Sequence, residues 1–257
     1  MPFMPFARAV ALDDFGLPPA GDPGNAWPPD MSRLRALVEL LVLLAGGAVG
    51  TVVFVLPFIL IRLPDHRWYN VLGSIGPGVG TLVACAIMLL VARQKPASIG
   101  LTRRNLIVNA AIGVGAMAAL YAGLLVPLGL VLSQFGDLAD QPRKAIEETF
   151  PPMSLAWLVL MMTFVSLWEE VVFRGFLLTR LRAIFGRWWL AVLVGASVFG
   201  PIHGYQGFVA VIMITVLAVL LSTLFIWRKS LVPGMVLHWL HNVGTMLIVQ
   251  TLYSSSP

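Results

Sequence analysis

The run SLAWLVLMMTFVSLWEEVVFRGFLLTRLRAIF, residues 154–185, is apolar enough to lie in lipid, yet its centre, WEEVVFRG at Trp168–Gly175, holds two adjacent carboxylates and a guanidinium. An ionisable group at mid-bilayer costs at least ~2.5–3.5 kcal/mol on insertion scales. Charges kept there against that cost belong either to a structural ion pair or to a working site.

The rest of the chain identifies lipid as its solvent. Of 257 residues, 58% are hydrophobic and 11% charged, and the mean hydropathy is +0.88, outside the range of soluble domains. Apolar runs able to cross a ~30 Å core at ~1.5 Å per helical residue fall at 36–61, 71–92, 106–133, 154–185, 189–203, 207–227 and 231–251. The expected fold is all-α: a polytopic helical membrane protein of about seven transmembrane helices. The lower half of the fourth run is amphipathic and is expected to emerge from the bilayer. The fifth is short and ends at Gly200-Pro201, a strong helix stop. The polar loop QFGDLADQPRKAIEETFPP, residues 134–152, leaves room for one extra interfacial helix. Residues 1–35 read as a loose cytoplasmic arm without a signal-peptide core, 36–251 as the membrane domain and 252–257 as a short tail.

Net charge is +5 and the pI near 9.9, but the basic residues stand singly or in pairs at the edges of apolar runs. They read as membrane flanks, and a nucleic-acid partner is excluded. Cytoplasmic loops collect Lys and Arg, so the flanks test the span count. With seven spans, one side holds Arg8, Arg33, Arg35, Arg93, Lys95, Arg103, Arg104, Arg180, Arg182, Arg187, Arg228 and Lys229, twelve in all. The other holds Arg62, Arg67, Arg143 and Lys144, only four. This bias places the N-terminus in the cytoplasm and the chain, as a multi-pass protein, in the cell membrane. Cys85, the one cysteine, lies in an apolar run and reads as a packing residue.

The strongly polar groups left at membrane depth are Glu169, Glu170, Arg174, His203, His238, His241 and Asn242, with Glu39 near the start of the first span. Glu170 and Arg174 are four apart with the carboxylate nearer the N-terminus, the favoured order for an intrahelical salt bridge. That leaves Glu169 without a local cation, turned ~100° around the helix. Counting ~1.5 Å per residue from the basic side, Glu169 stands ~16 Å above Arg180, His238 ~14 Å above Lys229, Asn242 ~20 Å above it, and His203 ~21 Å from Trp189. All four groups can meet in one layer, and His238 and Asn242 share a helix face. Such a set suits hydrolysis: a desolvated glutamate and an imidazole sharing a water, with N–H donors for a developing oxyanion.

In order and spacing, E169-E-V-V-F-R174, F199-G-P-I-H203 and H238-W-L-H-N242 resemble the motifs EExxxR, FxxxH and HxxxN/D of the CAAX protease and bacteriocin-processing (CPBP/Abi) membrane proteases, which include the type II CAAX prenyl endopeptidases. ASIGLTRRN, residues 97–105, is similar to a short loop these proteins carry before a span, and the resemblance covers roughly 95–251. It implies a membrane-embedded endopeptidase acting on a membrane-associated substrate, of which a prenylated CAAX tail is the best-known type. It also implies roles: Glu169 and His203 activating water, His238 and Asn242 stabilising the oxyanion, Glu170 and Arg174 bracing the site, and Phe199 packing beneath His203. His241 lies outside the motifs and reads as a packing or supporting residue.

Other chemistries fit less well. No HExxH occurs and no aspartate lies in an apolar span. Ser197 with His241 would imitate a serine protease, but Val198 stands where a glycine is expected and Glu169 is left unexplained. Zinc on Glu169, His203 and His238 is chemically plausible, although a clear fourth ligand is lacking, and the primary expectation is a site without cofactor. From other classes, an ion-coupled transporter using Glu169 and the histidines as a proton relay, or an inactive membrane scaffold, remain as alternatives.

Overall fold

The computed structural model describes residues 27–62 and 65–254, and every regular element among them is helical. The expected arm up to residue 26, including Arg8, and the tail residues 255–257 lie outside these described residues. In chain order, α1 (Arg33–Ile61), α2 (Arg67–Val91) and α3 (Leu106–Phe135) are each long and apolar enough to cross a membrane. Then follow α4 (Asp137–Thr149), the membrane-length α5 (Leu155–Phe185), the 12-residue α6 (Trp188–Phe199), and two more membrane-length helices, α7 (Phe208–Arg228) and α8 (Val232–Thr251). Serine hydroxyls start two of them: Ser32 Oγ accepts the Arg35 amide at 3.2 Å and Ser154 Oγ that of Trp157 at 3.4 Å, satisfying donors that a helix N-terminus leaves open.

Helices α1 and α2 pair through glycines. A Cβ on Gly50 would strike the Gly76 carbonyl, and one on Gly80 the Gly46 carbonyl, so the backbones themselves are in contact. In lipid, where burying apolar side chains gains little, close backbone packing of this kind is what holds helices together.

The fifth apolar run departs from expectation. Helix α6 ends at Phe199, and Pro201–Gln206 continues as a 3₁₀ turn in which His203 has left helical geometry (φ −93°, ψ 16°). Pro201 has no N–H to extend the helix, and Gly200 lies so close to α7 that a Cβ there would strike Thr215. Helix and turn still run from one face to the other. Trp188 stacks on Trp27 at 5.3 Å, and Trp27 also meets Phe225 at 5.6 Å, whereas Tyr205 meets Phe150 at 6.4 Å. At ~1.5 Å per α and ~2.0 Å per 3₁₀ residue this segment covers ~30 Å. Among the described residues, six membrane-length helices and one broken passage therefore connect the two faces.

The polar loop 134–152 contains the helix for which the sequence left room. Ile146 of α4 is buried, Arg143 Nη1 donates to Glu147 Oε1 at 2.8 Å, and Asn70 Nδ2 of α2 donates to the Thr149 carbonyl at 2.9 Å. The opposite face is closed by the 96–100 turn: the Leu231 amide donates to the Gly100 carbonyl at 3.0 Å, and Gly100, at φ 81°, leaves no space for a Cβ beside Phe225.

One flank residue is corrected by the structure. Arg180, counted among the basic flanks, has no solvent exposure. Its Nε donates to Glu39 Oε2 at 2.8 Å, 141 positions away, and its guanidinium lies 3.4 Å above the Phe176 ring. Glu39 also accepts from Arg35 Nε at 2.7 Å. The apolar periodicity of α5 does not reveal this, because the partner comes from α1.

Gly80→Leu should force α1 off α2 and lower the thermal stability of the purified protein, by ~1–3 kcal/mol as for other overpacked sites. Gly115→Ala, in open space on α3, should leave the unfolding temperature unchanged or slightly raised. Equal effects of the two substitutions would argue against backbone contact as the reason for the glycines.

Candidate active site

The stretch WEEVVFRG does not continue as plain α-helix. From Glu170 to Leu177 the chain adopts π geometry, a widened turn that is frequent at functional sites. Glu170, on this turn, is fully buried. Its Oε1 accepts from Arg174 Nη1 at 2.9 Å and from His238 Nδ1 at 3.0 Å. A carboxylate engaged by a guanidinium can only accept, so the imidazole proton sits on Nδ1. The second oxygen, Oε2, lies against Gly234, where a Cβ would stand 2.6 Å away; any larger residue would push α8 off the carboxylate. Arg174 is capped by the Phe199 ring, 4.3 Å from its guanidinium carbon, a favourable cation–π placement.

Glu169 faces elsewhere. Together with Phe199, His203, His238, His241 and Asn242 it lines a cavity of about 230 Å³, whose lining includes neither Glu170 nor Arg174. Glu169 Oε2 stands 3.6 Å from His238 Nε2, too far for a hydrogen bond, and it has no other hydrogen-bond partner among the described residues. His238 thus lies between two carboxylates, bonded to one and facing the other.

His203 is oriented by its own helix end. Its Nδ1 is 2.8 Å from the Phe199 carbonyl, which can only accept, so Nδ1 carries the proton and Nε2 keeps a lone pair. Phe199 packs against the imidazole at 4.8 Å, and the Tyr205 ring stacks with it at 6.2 Å. Asn242 Nδ2 donates to Ser166 Oγ at 3.3 Å, and one turn earlier Trp239 Nε1 donates to Thr163 Oγ1 at 2.9 Å. These two bonds set the register of α8 against α5. His241 Nδ1 is 3.2 Å from the Tyr121 hydroxyl, which joins α8 to the head of the π turn in α3 (Tyr121–Leu125).

The structure therefore brings Glu169, His203, His238 and Asn242 to one cavity, with Phe199 in its wall and Glu170 and Arg174 behind it. Ser166, Thr163, Tyr121 and Tyr205 went unnoticed in the sequence. Only Ser166, one turn before Glu169, carried a signal, as a buried hydroxyl on the face of the carboxylate. Ser197 is exposed and absent from the cavity lining, whereas His241 belongs to it, so the imitation of a serine protease is not assembled. Among the described residues no three His, Cys, Asp or Glu side chains form a group able to hold a metal ion. Glu169, His203 and His238 share a cavity but do not converge on one point.

Fold and site together define a polytopic helical membrane protein with a largely apolar cavity among its spans, into which a carboxylate, imidazoles and an amide are set. Residues 151–244, the segment carrying all three motifs, match the family model described as type II CAAX prenyl endopeptidase Rce1-like. Through this segment the chain is similar to the type II CAAX prenyl endopeptidases. No curated protein and no solved structure matches the chain.

Removing the Glu170 charge strands Arg174 in a dry site, and breaking a buried pair on one side costs ~3–5 kcal/mol. Glu170→Gln should therefore lower the unfolding temperature sharply. Glu170→Gln with Arg174→Met should recover part of the loss, as coupled neighbours do. Purely additive losses in that pair would sink the account of a mutually dependent ion pair.

Proposed function

We propose that the protein hydrolyses a peptide bond of a membrane-associated substrate, of which a prenylated CAAX-type tail is one candidate, using a water activated by Glu169. The observation that carries this reading is the contrast between neighbours: Glu170 lies outside the cavity lining with its Oε1 bonded to Arg174 and His238, whereas Glu169 lines the cavity and neither of those bonds reaches it. A carboxylate without a fixed partner is free to take a proton.

In this mechanism a water lies between Glu169 and His203 Nε2. Glu169 removes one proton as the oxygen attacks the carbonyl carbon, and the carbonyl π pair moves onto its oxygen. The second Nδ2 hydrogen of Asn242, the one not given to Ser166, donates to that oxyanion. His238, whose Nδ1 proton is engaged by Glu170, donates to the oxyanion only with a second proton on Nε2, and Glu169 at 3.6 Å is the group that supplies it. As the tetrahedral intermediate collapses, the C–N bond breaks and the proton held on His238 Nε2 passes to the leaving amine, which returns Glu169 and His238 to their starting states. Base, proton relay and oxyanion donor each contribute on the scale known for such groups. No metal is required by this scheme. The same reading places the protein in the cell membrane with its N-terminus in the cytoplasm, on the Lys and Arg bias.

Glu169→Gln keeps the volume and removes the base. Cleavage of a prenylated peptide, followed by mass spectrometry in detergent, should fall by ~10²-fold or more with the unfolding temperature nearly unchanged. Thorough chelation should leave the wild-type rate intact, whereas a zinc-bound hydroxide would be lost with its ion. Near-normal turnover by Glu169→Gln would overturn the assignment. A wild-type protein that cuts none of a broad set of membrane-tethered peptides would favour a carrier or a scaffold.

A further inference from the structure

The cavity is not placed symmetrically between the two faces. Four membrane helices line it, three from the half that adjoins α4 and the fourth from its middle: α2 from Ser74, α5 from Met161 down to Glu169, α7 from Val209 to Leu217, and α8 from Met246 down to His238. Helix α4 and the residue after it add Ile146 and Phe150 at the top. A second, smaller cavity of about 120 Å³ shares Ile146, Phe150 and Met246 with the first and extends to Arg67 and Glu147 at the outer edge of α2 and α4. The site thus continues upward under α4 to a polar rim.

Below the site the protein is solid. Trp168, Val172, Phe176, Ile99, Phe225 and Leu231 belong to one buried cluster, packed on the side of the 96–100 turn. A Cβ on Gly175 would stand 2.9 Å from the Ile99 carbonyl, and the Leu231 amide is bonded to Gly100. Beyond this floor lies the face that holds Arg93, Lys95, Arg103, Arg104, Arg187 and Lys229. Among the described residues, the Lys and Arg of the open face are Arg62, Arg67, Arg143 and Lys144. Of these, Arg67 is 2.9 Å from Asp65, and Arg143 is 2.8 Å from Glu147. Lys and Arg accumulate on the cytoplasmic side of short loops.

Taking the cavity and the charge bias together, we infer that the site opens to the extracytoplasmic side, so that its substrate is an exported or membrane-anchored polypeptide whose scissile segment lies in or above the outer leaflet. This rests on the hydrolytic reading above for the word substrate, and on the cavity's placement with the Lys and Arg bias for the side of opening. The wall supplied by Met161, Met162, Met213 and Met246 suits such a segment, because methionine adapts to apolar side chains of differing shape.

Accessibility tests the side of opening without calling on catalysis. Cys85 is buried and is the only cysteine, so a cysteine introduced at Gln206 or Ser74, both lining the cavity, reports its own exposure to a membrane-impermeant maleimide. Labelling of Gln206→Cys and Ser74→Cys in intact cells should proceed at a rate unchanged by permeabilisation, whereas Arg103→Cys, exposed on the closed face, should label only after it. Cavity cysteines that label only after permeabilisation would overturn the inference, as would Arg103→Cys labelling in intact cells. In sealed vesicles of known orientation, a prenylated peptide with a charged, non-permeant tag should be cut when added to right-side-out vesicles. Cleavage confined to inside-out vesicles would sink the inference and leave the hydrolytic reading standing. Outward labelling without any cleavage in detergent would have the opposite effect.

Discussion

One oxygen atom sets the geometry of the site. Oε1 of Glu170 accepts from Arg174 at 2.9 Å and from His238 at 3.0 Å, at a place with no solvent. Three charged or polar groups taken out of water would each be unfavourable alone, and together they are tolerable only while both bonds are held. The bond to His238 fixes the approach of α8, and Gly234 is needed so that nothing stands between that helix and the carboxylate. The Phe199 ring over Arg174 extends the same constraint to the end of α6, where His203 is placed. Loss of this contact would release three helices at once.

Neighbouring glutamates can differ in role because the chain turns between them. Glu170 enters the π segment and holds Arg174 and His238 through Oε1, while Glu169 is left at the cavity wall. His238 touches both sides of this division, donating to one carboxylate and presenting its other nitrogen to the second. In the proposed mechanism a proton arriving on Glu169 would have an acceptor 3.6 Å away, held in a fixed tautomer by a group that takes no part in the transfer. Supporting contacts of this kind are what keep reacting groups within the tolerances that catalysis needs.

The second buried ion pair does a different kind of work. Arg180 and Glu39 tie α5 to α1 on the arginine-rich side, with Gln94 Oε1 3.5 Å from the same guanidinium. Around them the 96–100 turn, Phe225 and Leu231 close the floor beneath the site. A floor held by a buried ion pair and backbone bonds resists opening, whereas α4 is fastened over the cavity by a few contacts, among them the one from Asn70 and the packing of Ile146. The difference gives the cavity a direction.

Composition and local spacing were enough for a large part of this. The apolar runs required helices crossing lipid, because no other open chain satisfies its backbone there, and the Glu170–Arg174 pair was legible since its members are four residues apart. Motif order pointed to Glu169, His203, His238 and Asn242 as a set. Straight-helix counting placed them in one layer, although it did not anticipate the π turn or the break at Gly200. What the tertiary structure alone decided depends on residues far apart in the chain. Glu39 reaches Arg180 across 141 positions, His238 chooses Glu170 across 68, and Ser166 receives Asn242 across 76. No periodicity encodes such pairings, because each is set by how closely two helices approach, and that approach is governed by glycines and packed rings whose effect appears only when the partner surface is present.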